Sequence, residues 1–176
     1  IALYSGEPDE IRAAMERLVV LFEETDNAFE ALDWAGRLLE LCAREGELSP
    51  WNQVLRLGEM TGDYELVADG LERGLREFTG PIEDALEAQL ALGELLWRRL
   101  QRGDDAAEWF ERVLDVEPTS SGALDGLQEI ATVGGDWGRL ERVLDLRGTH
   151  EPELNDRLAA REQLGDLYDT IFDEPE

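Results

Sequence analysis

Apolar residues along this chain recur at steps of three and four, the spacing that lines one face of an α-helix, and no stretch has the strict alternation of a strand. Ile11, Met15, Leu18, Val19 and Phe22 predict a helix over 9–24. After a break at Thr25-Asp26-Asn27, Ala31, Ala35, Leu38 and Leu39 predict its partner over 28–44. Ser49-Pro50 reads as an N-cap serine with proline in the first turn, followed by Trp51, Val54 and Leu57. A turn at Thr61-Gly62-Asp63-Tyr64 leads into Leu66, Val67, Leu71 and Leu75. Thr79-Gly80-Pro81 opens a longer helix expected over 82–101, and Gly103-Asp104 breaks the chain before Ala106, Ala107, Phe110, Val113 and Leu114, a stripe that stops at Pro118. Ser120-Ser121 starts Leu124, Leu127 and Ile130. Gly134-Gly135-Asp136-Trp137 turns the chain back through Leu140, Val143 and Leu144. Beyond a Gly148-Thr149-His150 linker, a last helix is expected over 152–172 with Leu158, Leu164, Leu167, Tyr168 and Ile171 inward. Long and short first helices thus alternate.

Glycine falls inside several of these helices, where it costs about 1 kcal/mol relative to alanine. Gly93, between Leu92 and Leu95, is offset by close approach of a second helix. Gly70 and Gly74 are read as close packing against the following hairpin, with local looseness as the alternative.

The elements repeat. Leu92-Gly93-Glu94-Leu95-Leu96 returns as Leu164-Gly165-Asp166-Leu167-Tyr168, 72 residues on, and the Gly-Asp-aromatic turn at Asp63 returns at Asp136, 73 residues on. Leu92 to Leu127 is 35 residues and Leu127 to Leu164 is 37, both near a period of about 34. A Leu-Gly first helix, a Gly-Asp-aromatic turn, a small residue opening the second helix and a closing proline make the chain resemble the tetratricopeptide repeat (TPR) family. The resemblance implies an all-α fold, a right-handed α–α superhelix of about four and a half TPR-like hairpins. The repeats are placed at 9–44, 50–78, 82–117, 120–147 and an incomplete 152–176, within one array over 1–176. The segment Ile1 to Pro8 reads as the tail of a preceding hairpin, and the chain as a piece of a longer protein whose targeting signals would lie elsewhere.

Charge changes the picture most. Of 176 residues, 42 are acidic and 16 basic, all arginine, for a formal net charge of −26. The missing lysine fits a coding bias towards arginine. This balance argues against nucleic acid, whose binding needs phosphates neutralised by Lys or Arg, and against anionic membrane surfaces. No run reaches the roughly 18 apolar residues of a membrane span, and a cytoplasmic location is expected. A basic protein or peptide is the natural complement, although a solvated acidic face that only maintains solubility, or adaptation to salt, gives the same balance.

Candidate chemistry is sparse. His150 is the single histidine and Cys42 the single cysteine, so neither a histidine cluster nor a disulfide can form within the chain; Cys42 reads as a semi-buried filler. Carboxylate pairs such as Glu23-Glu24 and Asp173-Glu174 are expected by chance at this acidity. Asp104 and Asp105 suit a helix N-terminus. No calcium loop or phosphate-binding glycine loop is present. The expectation is therefore a non-enzymatic protein with no cofactor and no metal.

The TPR resemblance implies that first helices line a concave face that holds an extended peptide or partner helix. That places Asn52, Arg56 and Glu59 on the second hairpin, Leu90, Glu94, Trp97 and Arg98 on the third, Asp125 and Glu129 on the fourth, and Glu162, Asp166 and Asp169 on the last helix in a partner-binding face whose second half is acidic. Trp97 turns about 100° from Leu96 and is either an exposed anchor for a partner or a cap on the neighbouring repeat. The lysine-dependent carboxylate clamp of the family is not matched, since only Asn52 and Arg56 are of the right type. Trp34 and Trp109 occupy equivalent places on second helices, Trp51 a packing stripe and Trp137 a turn. The expected role is a protein interaction scaffold for a basic or amphipathic segment. The alternative is a structural or assembly segment of a larger machine, with which self-association is compatible.

Overall fold

The computed structural model describes residues 8–150 and 153–169. Among them are nine α-helices and no strand: α1 (Pro8–Glu24), α2 (Ala28–Arg44), α3 (Trp51–Thr61), α4 (Tyr64–Glu77), α5 (Leu86–Arg98), α6 (Gly103–Val116), α7 (Ser121–Gly134), α8 (Trp137–His150) and α9 (Leu154–Leu167). The turn expected at Ser5-Gly6-Glu7-Pro8 and the residues Ile171 and Asp173-Glu174-Pro175 lie outside the described structure, Pro8 excepted as the first residue of α1. No helix of the described residues is long and apolar enough to cross a membrane.

Turn chemistry fixes where the helices stop. Gly62 ends α3 and Gly135 ends α7 with φ near +70°, a left-handed conformation that glycine adopts without the steric cost of a Cβ. The aspartate that follows each glycine then caps the next helix. Asp63 accepts the Leu66 amide at 3.1 Å and Asp136 accepts the Arg139 amide at 2.9 Å. The repeated Gly-Asp-aromatic string is thus a helix stop joined to a helix start. Trp137 is accordingly the first residue of α8 rather than part of the turn.

Several boundaries differ from expectation. Ser49 is not the cap of α3; Pro50 holds that position, and no side chain bonds there. The helix expected over 82–101 is a 3-10 turn at Ile82–Ala85 followed by α5, which stops at Arg98. With α3, α5, α7 and α9 at 11, 13, 14 and 14 residues, long and short first helices do not alternate. The break before α6 falls at Gln101, a non-glycine residue with φ 57°, and Gly103 is the first helical residue. Asp104 and Asp105 do occupy the first turn of α6. α8 runs through Gly148, Thr149 and His150, so the expected linker is helix.

The chain divides into two compact units, Ile1–Leu95 and Leu96–Glu176. In the first, α2 packs against α1, α3 and α4, and α3 against α4, around Leu32, Leu39, Val54, Leu57, Val67 and Leu71. α2 and α4 cross where both backbones are bare: a Cβ built on Gly36 would lie 3.5 Å from the Gly70 Cα. One turn on, a Cβ on Gly74 would lie 2.6 Å from Leu39 Cγ. The glycines of α4 therefore pack against the preceding hairpin and not the following one. Arg12 of α1 ties down the loop after α2 by pairing with Glu47 at 2.8 Å and Glu45 at 3.5 Å, as well as with Glu16 at 3.2 Å. The hydrogen bonds to Glu47 and Glu16 hold its guanidinium pKa well above the ordinary value.

In the second unit α6 packs on α7, α7 on α8, and α8 on α9. Phe110 of α6 is 1% exposed, and its ring lies on Gly126 of α7 so closely that a Cβ there would overlap it. α9 seats Ala160, Leu164 and Leu167 inward, Leu167 joining Ala131, Leu140 and Leu144. Leu158 and Tyr168, expected inward, are 55% and 43% exposed. The Tyr168 hydroxyl donates to Glu141 of α8, and that bond raises the phenol pKa.

Candidate functional site

The second unit carries an open groove of about 800 Å³. One wall is the face of α7 that repeats every third or fourth residue, Ser121, Asp125, Gln128, Glu129 and Thr132; the other is the Asp156, Ala159, Ala160 and Gln163 face of α9. Arg98, at the end of α5, and Arg147, on α8, complete it. The rigidity of the first wall comes from the other side of α7, where Ala123, Leu127 and Ile130 are buried beside Gly126.

Three carboxylates face two guanidiniums in this groove. Arg147 binds Asp125, and Arg98 lies 3.6 Å from Glu129. The indole N–H of Trp97 also donates to Glu129, at 3.0 Å. Asp156 forms no ion pair among the described residues, which leaves one negative charge unmatched. Two of the three carboxylates that line the groove, Asp125 and Glu129, are thus paired.

Trp97 is half-buried. A Cβ on Gly103 would come within 3.3 Å of its Cζ3, so the bare backbone at the start of α6 makes room for the indole while its N–H is spent on α7. Of the expected site residues, Arg98, Asp125 and Glu129 line the groove together. Glu162, Asp166 and Asp169 are exposed and do not line this groove. In the first unit, Asn52, Glu59 and Glu94 are exposed and Leu90 is half-buried. Arg56 is engaged by Glu23 of α1 and by the Met60 sulfur at 3.6 Å, and Glu59 accepts the Tyr64 hydroxyl at 3.3 Å.

Gln128, Asp156 and Gln163 join the groove without having been expected in a site. Their signal is present in the chain, since Asp156, Ala160 and Gln163 share one helical face, but Leu158 suggests a different inward side for that helix.

The reactive side chains elsewhere are poorly placed for chemistry. Cys42 is fully buried, and burial pushes its thiol pKa above the ordinary value, away from the nucleophilic thiolate. His150 is exposed at the end of α8. Among the described residues no group of three or more His, Cys, Asp or Glu side chains could hold a metal ion. No protein-family model matches the sequence, and comparison with curated proteins gives no match.

Proposed function

We propose that this chain is a non-catalytic protein interaction scaffold, a TPR-like array of helical hairpins forming the superhelix its sequence resemblance implies, which takes a basic or amphipathic segment of a partner. The observation that carries this reading is the open groove between α7 and α9, roomy enough for a peptide and bearing an unmatched carboxylate at Asp156. Gln128 and Gln163 offer amide donors and acceptors to a peptide backbone from opposite walls, Ala159 and Ala160 offer small apolar contacts, and the net charge of −26 favours approach of a cationic partner.

The test uses the protein with an amphipathic peptide of arginine and leucine, read by fluorescence anisotropy at two salt concentrations. Charges are screened over about 8 Å at physiological salt, so affinity should fall as salt rises and fall again in Asp156→Asn. Affinity indifferent to both would defeat the proposal.

A second reading, an assembly segment covered by neighbouring subunits, is favoured by the apolar residues left in solvent on α1 (Val20, Leu21) and α9 (Leu154, Leu158). Light scattering separates the two: a monomer at all concentrations supports the scaffold, and a concentration-dependent oligomer supports assembly.

A further inference from the structure

The two units differ where their second helices cross. Trp34 of α2 and Trp109 of α6 are equivalent, each carrying an arginine three residues on over its ring, Arg37 at 5.0 Å and Arg112 at 4.4 Å from the centroid. The caps Asp63 and Asp136 likewise align α4 with α8. By that alignment, the positions of Gly36 and Gly70, whose bare backbones bring α2 against α4, are taken by Glu111 and Val143 in the second unit. A Cβ and more now stands where two backbones would have touched. Between α6, α7 and α8 the second unit accordingly keeps a pocket of about 240 Å³.

The pocket has an apolar floor of Leu114, Leu127, Val143 and Leu146 and a charged rim. On that rim Glu111 and Arg139 satisfy one another at 3.3 Å. Asp115 from α6 and Arg142 from α8 also line the pocket, and neither makes an ion pair among the described residues. The volume is below the roughly 300–1,000 Å³ of sites for drug-sized ligands. It shares no lining residue with the α7–α9 groove.

From this combination we infer that the α6–α7–α8 pocket binds a free apolar α-amino acid as its zwitterion. A carboxylate at Arg142, an ammonium at Asp115 and an apolar side chain on the leucine floor use each unmatched feature once. A ligand with only one charge would leave the other rim group without a partner, and a wholly apolar ligand would leave both. Guanidinium–carboxylate and ammonium–carboxylate contacts are the charge-assisted hydrogen bonds that give such a small ligand its affinity. This site does not depend on the peptide-binding reading, and either can fail alone.

The probe is L-phenylalanine, titrated into the whole protein and followed by the methyl resonances of leucine and valine, with 3-phenylpropionate and phenethylamine as its two half-charged relatives. Saturable shifts are expected on Leu114, Leu127, Val143 and Leu146, at concentrations of roughly 10 mM or below. Each half-charged relative should bind about tenfold more weakly. Asp115→Asn and Arg142→Gln change only exposed side chains and should each weaken phenylalanine binding by about the same factor, with an unchanged far-UV spectrum. Absence of saturable shifts, shifts centred on other residues, equal binding of the three probes, or unaltered affinity in the two variants would each overturn the inference.

Discussion

Gly126→Ala tests how the groove wall is held. A Cβ at residue 126 would meet three carbons of the Phe110 ring, Cε2, Cζ at 2.6 Å and Cδ2 at 2.9 Å, where carbon contacts are normally about 3.5–4.0 Å. The ring must retreat by roughly 1 Å to restore that spacing. Phe110 is buried and held by the rest of α6, so the retreat displaces α6 against α7. Overpacking of this kind costs about 1–3 kcal/mol, and the gain in helix propensity from glycine to alanine returns about 1 kcal/mol. A net loss of about 1 kcal/mol is expected, rising to about 2 if the ring cannot move. Because the two compact units need not unfold together, the measurement is hydrogen exchange of the α7 amides beside a urea melt. The decisive control is Phe110→Leu, which removes the clashing ring edge. In that background Gly126→Ala should turn neutral or stabilising, giving a coupling energy of about 1–3 kcal/mol. If the alanine is harmless in the parent protein, or equally costly with leucine at 110, the packing account of α7 is wrong.

Other expectations follow from the same geometry. Gly165→Ala should stabilise α9 by up to about 1 kcal/mol, since nothing lies within 4 Å of a Cβ there; a loss of protection in α9 would mean that face is covered. Asp63→Ala and Asp136→Ala each remove an N-cap acceptor and should each cost about 1 kcal/mol, read as a lower melting temperature, while Asn in either place should recover most of it. For Cys42, whose folded pKa is raised by burial, the unfolded thiol ionises first. Stability should therefore decline as pH climbs above about 8.5, and Cys42→Ala should flatten that part of a urea-midpoint-against-pH plot. The native thiol should also resist a thiol-reactive dye until denaturant is added.

Local chemistry sets what can be read in the chain alone. The Gly62-Asp63 and Gly135-Asp136 strings locate a stop and a start within three residues because a left-handed glycine and a capping aspartate act on their immediate neighbours. The all-helical pattern and the pairing of α1 with α2 follow from dense apolar stripes. Where the stripe thins, the pattern misleads. In α9 the leucines at 154, 158, 164 and 167 are spread around the helix, and which of them turns inward is settled by Leu140 and Leu144 of α8. That ambiguity hides Asp156 and Gln163. Electrostatics misleads for a related reason: Arg147 neutralises Asp125 from 22 residues away, and Trp97 reaches Glu129 from 32. A count of charges records neither partnership, so an acidic sequence yields a groove with only one unmatched acid.

Glycine spacing carries more information than any one glycine, and Gly70 offers the means to show it. A Cβ at that residue would sit 3.4 Å from the Gly36 Cα and 3.7 Å from Val54 Cγ1, both ordinary contacts. Gly70→Ala should therefore be neutral or gain up to about 1 kcal/mol in helix propensity. Valine is different: its χ1 is confined to essentially one rotamer in a helix, and its γ-carbons extend beyond the last free space towards the α2 backbone. Gly70→Val should cost about 1–3 kcal/mol and loosen α2 from α4, reproducing in the first unit the residue that α8 carries at Val143. Urea melts of the two variants, compared side by side, decide between these outcomes. A valine variant as stable as the alanine one would mean that the α2–α4 crossing yields freely. Glycine would then not be what closes one pair of helices and, by its replacement with Glu111 and Val143, leaves the other open.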